Sequence, residues 1–372
     1  VLRTWRWAVL AFSVAVLVSL PTTVPLVLGA GGSSLTAATL LQKVQESGSV
    51  AYSGYAESTG GLALPVTSQF TSVADLFGSQ TQMRVWWRSG LEWRVDTISV
   101  SGETDVHQVG SDVQTWEYEA NQSTWTHQAT VPAVRLPVAA DLLPTTLASR
   151  LLSEATAAEV SRLPTRRIAG RDAVGLRLKP AQAASTIDQV DVWVDLSSGL
   201  ALRVEVYGGG TEVVSTQFLD FSTSRPSETV VAFTPPSGAR VRQSTDADIA
   251  AAIDRLGNTR PPSTLAGIAR NDALPAVGAI GVYGKGVTEF AATPLPRRTA
   301  DGLRSQLAKT PGVVSDANGL SGSIGPLTLV LTPDTNQPGG GGRFNNTAWL
   351  LTGTVDVDTL NRAAAELVAA RR

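Results

Sequence analysis

Residues 36–48, TAATLLQKVQESG, carry Leu40, Leu41 and Val44 at the spacing of one helix face. Thr36 is placed to cap that helix and Gly48 to end it. From residue 49 the period drops to two. SVAYSGYAES, QTQMRVWWR, LEWRVDTISVS, DVHQVGS, VQTWEYEA and STWTHQA are strand-like, with breaks at Gly60 and Gly61, Ser89 and Gly90, Ser101 and Gly102, Gly110 and Ser111, and Asn121 and Gln122. Short alternating runs separated by such breaks predict an antiparallel meander.

Helical spacing returns over 139–163, AADLLPTTLASRLLSEATAAEVSRL, interrupted at Pro144. Strands are predicted again at DAVGLRLKP, IDQVDVWVDL, ALRVEVYGGG and TEVVSTQFLDF, with a Ser-Ser-Gly turn between the second and third. In IDQVDVWVDL, Val190, Val192, Val194 and Leu196 share one face, and Asp191, Trp193 and Asp195 the other. One helix, a meander, a helical insertion and a second meander make an α+β unit over 35–224.

Residues 225–264 read as a linker: the proline-bearing exit SRPSETVVAFTPPSGARV, a helix near 245–256, then NTRPPS. The last unit, 265–372, runs strand, strand, helix (298–309), strand, strand, helix (357–371). That ββαββα order predicts a small sheet with both helices on one face. QPGGGGRF (337–344) is a loop within it.

The N-terminal stretch has no periodicity because it is apolar throughout. Arg3 and Arg6 precede it, and no charged residue follows until Lys43. Trp7 to Leu28 as a helix would be roughly 33 Å long, enough to cross a ~30 Å hydrocarbon core. Residues 1–30 are therefore expected to be a single-pass signal-anchor, N-terminus cytoplasmic and body extracytoplasmic. A cleaved signal ending near Val27–Gly29, giving a secreted body, is the rival reading.

Of the 372 residues, 43% are hydrophobic and 17% charged, a globular balance at a length that predicts two folded units. A formal net charge of −2 gives no general electrostatic basis for nucleic-acid binding. With no cysteine, disulfides, thiolate chemistry and Cys-based metal sites are excluded.

Little else points to catalysis. Asp105 and His107 share a strand face, which reads as a solvated face before a metal or catalytic pair. His127 is the only other histidine, and the sequence has no HExxH or GxSxG. GVYGKGV (281–287) has Ala279 where a phosphate loop needs glycine and Gly286 where it needs Ser or Thr, so it reads as a hairpin turn. Asp191/Asp195 and Glu117/Glu119 read as outward faces. A non-enzymatic chain with no catalytic residue, metal or cofactor is expected.

RVWWRSGLEWRVD (84–96) places three of the nine tryptophans within eight positions. A two-residue turn at Ser89 and Gly90 sets Trp86 against Trp93; a loop longer by one residue puts Trp87 and Trp93 on one face instead. Alternation with Met83, Val85, Leu91 and Val95 favours the second register. The rings can fill a sheet core, line a hydrophobic ligand cavity, or form a carbohydrate-stacking platform.

TAATLLQKVQESGSVAYSGYAES, RVWWRSGLEWRVD and VGSDVQTWEYEANQSTWT follow one another as in the periplasmic lipoprotein carriers (LolA), and equally as in the first domain of the sigma-E regulatory proteins (RseB/MucB). IAGRDAVGLRLKP and VDVWVDLSSGLALRVEVYG resemble that superfamily's later strands, with Ala201 where proline is common. VYGKGVTEFAAT and WLLTGTVDVDTLNRAAAELV are similar in order to the closing segments of the sigma-E regulators.

The resemblance implies a half-open antiparallel β-barrel closed by helices, with an apolar concavity for acyl chains. Trp86, Trp87, Trp93, Trp116, Tyr118 and Trp125 are then expected to line it. The implied partners are a lipid or acylated lipoprotein, or a membrane protein such as an anti-sigma factor or transporter bound through the C-terminal unit.

Overall fold

The computed structural model describes residues 35–61, 80–99, 102–128, 137–245, 261–271, 280–336 and 346–369. The expected membrane segment, most of the helix near 245–256 and the QPGGGGRF loop lie outside them. Among the described residues no helix is long and apolar enough to cross a membrane.

Helix α1 (Ala37–Glu46) opens on Thr36, whose side chain accepts from the Thr39 amide at 3.1 Å, and buries Leu40, Leu41 and Val44. The meander follows as β1 (Tyr52–Gly60), β2 (Gln80–Ser89), β3 (Glu92–Ser99), β4 (Gly102–Val109), β5 (Asp112–Glu117) and β6 (Gln122–His127). A 3₁₀ turn at Ala139–Leu142 leads into α2 (Pro144–Leu152). Pro144 starts this helix, because a first-turn residue has no amide to lose.

Then come β7 (Val160–Ile168), β8 (Arg171–Leu178), β9 (Gln189–Asp195), β10 (Ala201–Gly208) and β11 (Thr211–Ser222). A one-turn helix α3 (Glu228–Val231) and β12 (Arg240–Thr245) complete the unit. Strand β7 corrects the helical reading of 160–163. Its Pro164 falls at a register irregularity in an edge strand, where a missing amide is tolerated.

The twelve strands form one sheet, ordered β12-β6-β5-β4-β3-β2-β1-β11-β10-β9-β8-β7. Every pairing is antiparallel except β12 with β6. Among the described residues no ladder joins β12 to β7, so the expected barrel is found as a large open sheet with few helices. Helices α1 and α2 cover one face, which we call the helix face. There Leu40, Leu41, Val44, Ala148 and Leu152 pack on Val174, Leu176, Val190, Val192, Val194 and Val204.

Residues 225–245, expected as linker, belong to the first unit. Pro226 to Phe233 lie as a strap across the opposite face of β2, β3 and β4, and β12 extends the sheet beyond β6. A single helical turn and a parallel strand paired far along the chain leave no local period to read.

The second unit has a small hairpin, β13 (Thr264–Leu265) with β14 (Ile268–Ala269), and a seven-stranded sheet. Its elements are β15 (Gly281–Lys285), β16 (Thr288–Pro296), α4 (Arg297–Leu307), β17 (Val314–Asp316), β18 (Gly319–Ile324), β19 (Leu327–Leu331), β20 (Thr335–Asn336), β21 (Asn346–Gly353) and α5 (Val357–Ala369). GVYGKGV makes the β15–β16 hairpin.

The second unit also departs from the expected order. A β17–β18 hairpin is added, and the helices pack on opposite faces of the sheet. Val330, Trp349 and Leu351 meet α5, while the alternate residues Leu331, Ala348 and Leu350 meet α4. LTLVL and AWLL are apolar on both faces, the pattern of strands covered twice.

The two units are clamped together. Val287, in the β15–β16 turn, is buried in the core under α1 and α2. The Thr186 amide donates to Thr354 O at 3.0 Å, the Asp356 amide to Ala184 O at 2.8 Å, and the Gly286 amide to the Glu154 carboxylate at 2.6 Å.

Candidate functional site

Strands β2 and β3 carry the aromatic residues in two layers. The turn lies at Gly90 and Leu91, Ser89 pairs with Glu92, and a register shift at Arg88 restores Trp87 opposite Trp93. The longer-loop register is therefore the observed one, reached through a bulge. Trp86 pairs with Arg94 on the other face.

On the helix face, Trp93 stacks on Trp87 at 5.5 Å between centroids and 6° between planes. Trp87 stacks in turn on Tyr52 at 5.8 Å and 13°. Tyr52 is buried, its hydroxyl 2.6 Å from that of Thr145 on α2, and burial pushes its phenol pKa up. Met83, Val85, Val95 and Phe218 extend this apolar surface, and Ala140, Leu142 and Leu143 cover it. Trp87 is half-buried and, like Val50, Val106 and Val138, packs against this cluster.

On the opposite face the strap covers a polar row. Arg94 stacks on Trp86 at 5.0 Å and binds Asp96 through two bonds of 2.6 and 2.8 Å, and Asp105 at 3.1 Å. His107 is 2% exposed; its Nδ1 lies 2.8 Å from Val231 O and its ring 4.8 Å from Phe233. Arg88 fastens the strap, donating to Pro226 O at 2.6 Å and to Glu228 at 2.9 Å. The face expected to be solvated is thus buried by a segment more than a hundred residues away.

Burial pushes the Asp105 carboxyl up to about 7; the Asp96 charge adds to the rise and Arg94 opposes it. Burial lowers His107 to about 4, against the opposing pull of the Val231 hydrogen bond. A ring nitrogen of His107 and one oxygen each of Asp96 and Asp105 lie within 4.8 Å of one another.

The six rings named from sequence are not brought together. Trp87 and Trp93 share the helix face, whereas Trp86 borders an open concavity of about 460 Å³ on the other, with Arg84, Tyr55 and Asp220. Trp116 is buried under Phe233 at 5.5 Å. Trp125 is 41% and Tyr118 66% exposed. Sequence reasoning missed Tyr52, although its place two residues before Gly54 in a strand-like run gives the face.

Asp191 and Asp195, expected outward, are buried. Arg177 binds Asp191 at 2.6 and 2.5 Å, and Ser197 and Ser198 each bind Asp195 at 2.6 Å. Between them Trp193 lies under Arg166 of β7 at 4.0 Å and donates to Pro164 O at 3.1 Å. The unforeseen strand β7 supplies that cover.

No protein-family model and no curated protein sequence matches the chain. Among solved structures, the complex of Pseudomonas aeruginosa MucA and MucB contains a similar chain, at 16% identity and a TM-score of 0.48. The match covers 88% of this chain and 96% of that one. A crystal structure of MucB is similar at 16% identity and a TM-score of 0.43, over 88% of this chain and 96% of that one. A LolA superfamily protein from Nitrosomonas europaea matches 54% of this chain and 99% of its own length, at 14% identity and a TM-score of 0.23. Each of these three matches lies below 25% identity and below a TM-score of 0.5.

Proposed function

We propose that this chain is a non-enzymatic, extracytoplasmic binding protein held at its own membrane, taking acyl chains of lipid or lipoprotein on the helix face of a half-open sheet. One observation carries the reading. In the Tyr52–Trp87–Trp93 stack, which continues the apolar surface, Trp87 is only half-buried. An acyl chain laid there gains about 0.8 kcal/mol per CH₂ removed from water and needs no polar partner.

The apolar segment before residue 30 supports a tether. A tethered protein does not shuttle between membranes, so it presents or senses lipid where it stands. Native mass spectrometry of the full chain extracted from membranes should show a co-purified acyl lipid, with saturable uptake of a fluorescent fatty acid after delipidation. Ligand-free protein without uptake contradicts the reading. Protease added to intact spheroplasts should degrade the body; full protection contradicts the placement.

The clamp between the units favours a second reading, a regulator whose C-terminal unit binds an anti-sigma factor or another membrane protein. With Val287 in the first unit's core, a partner seated on the second unit bears directly on α1 and α2. Photo-crosslinkers on α4 should capture one membrane protein in the native membrane. Capture of none contradicts this reading.

A further inference from the structure

Asp96 and Asp105 are direct cross-strand partners on β3 and β4, and both are buried, at 1% and 7% exposure. Two carboxylates facing each other repel, and burial removes the water that would screen them. Arg94 bonds to both carboxylates, and Arg84 on β2 is the cross-strand partner of Asp96. Asp105 Oδ1 is buried and has no hydrogen-bond partner among the described residues.

His107 stands two residues along β4 on the same face, its ring fixed by the strap. Nδ1 bonds a carbonyl oxygen, so it carries the proton and Nε2 keeps the lone pair. Nε2 is buried and likewise has no partner among the described residues. A backbone carbonyl on one ring nitrogen and an open lone pair on the other is how metal-ligating histidines are oriented.

We propose that Asp96, Asp105 and His107 form a binding site for a divalent transition-metal ion of the zinc class beneath the strap. Three ligand atoms within 4.8 Å of one another need only a small contraction to meet an ion at about 2.0–2.2 Å. A carboxylate–carboxylate–imidazole set suits Zn²⁺ and its surrogate Co²⁺. The ion ties β3 and β4 to the strap through the His107–Val231 bond. Its role is structural, because the strap closes over the site.

The chain's two histidines make the test clean. The full chain is stripped with a chelator, dialysed against Zn²⁺, Co²⁺ or Ca²⁺ in separate arms, and its bound metal measured. One equivalent of Zn²⁺ or Co²⁺ is expected, with a rise in Tm. H107Q and D105N should lose that equivalent, and H127Q, which alters the exposed His127–Asp112 pair, should retain it. No retained metal in the folded wild type, preference for Ca²⁺, or loss in H127Q in place of H107Q overturns the proposal. If H107Q or D105N does not fold, the Co²⁺-loaded wild type decides. One paramagnetically shifted, slowly exchanging imidazole N–H signal from His107 is expected, and its absence overturns the site.

Discussion

Trp87 and Trp93 face each other across the β2–β3 hairpin, stacked at 5.5 Å with planes 6° apart, yet only Trp93 is fully buried. The two rings therefore separate stability from binding. Trp93→Ala should cost about 3–5 kcal/mol in urea unfolding. Trp87→Ala should cost clearly less while lowering fatty-acid uptake at least tenfold. Trp125→Ala on the opposite face should change stability by only about 0.5 kcal/mol and leave uptake unchanged.

Arg88 reaches the strap through Pro226 O and Glu228. Arg88→Ala removes both bonds and should cost about 1.5–3 kcal/mol, the range for hydrogen bonds to charged groups. Limited proteolysis should then cut within 224–235, where the wild type resists. Unchanged cleavage means the strap is held by Val231 and Phe233 alone.

Gly199 adopts φ +75°, and a Cβ there would lie 2.6 Å from Lys43 O at the end of α1. Gly199→Ala should cost about 1–3 kcal/mol. Gly90→Ala, where a Cβ meets nothing within 4 Å among the described residues, serves as the near-neutral control in the same thermal melts.

Glu205 gives a pH signature. Burial pushes its carboxyl up, but hydrogen bonds from Tyr207 and Arg203 and the charges of Arg203 and Arg166 outweigh this and hold its pKa below the ordinary value. A depressed carboxylate contributes stability above its unfolded pKa of about 4.3 and loses it as pH falls through the folded value. The stability gap between wild type and Glu205→Gln should be largest at pH 7 and shrink below about pH 4. A constant gap refutes the assignment.

Local pattern carried α1 with its Thr36 cap, the Trp87–Trp93 register and the GVYGKGV hairpin. Each depends on neighbours in sequence. Strand β7 was hidden because the spacing of α2 runs on through Val160 and Leu163, and Pro164 resembles a break. Strand β17 is exposed throughout, so it has no burial period to read. The burial of Asp105, His107, Asp191 and Asp195 comes from distant chain, the strap and β7, with arginines and serines meeting the acids. Alternation along one strand reports two faces but not what later covers them.

Photo-affinity labelling tests the acyl-binding claim most directly. The delipidated full chain is irradiated with a fatty acid bearing a diazirine at its methyl end, and the labelled peptides are mapped. Labels should fall on 83–95 and 139–148, and excess natural fatty acid should remove them. Labels confined to the exposed surface around Tyr118 and Trp125, or labels that resist competition, would contradict acyl-chain binding on the helix face.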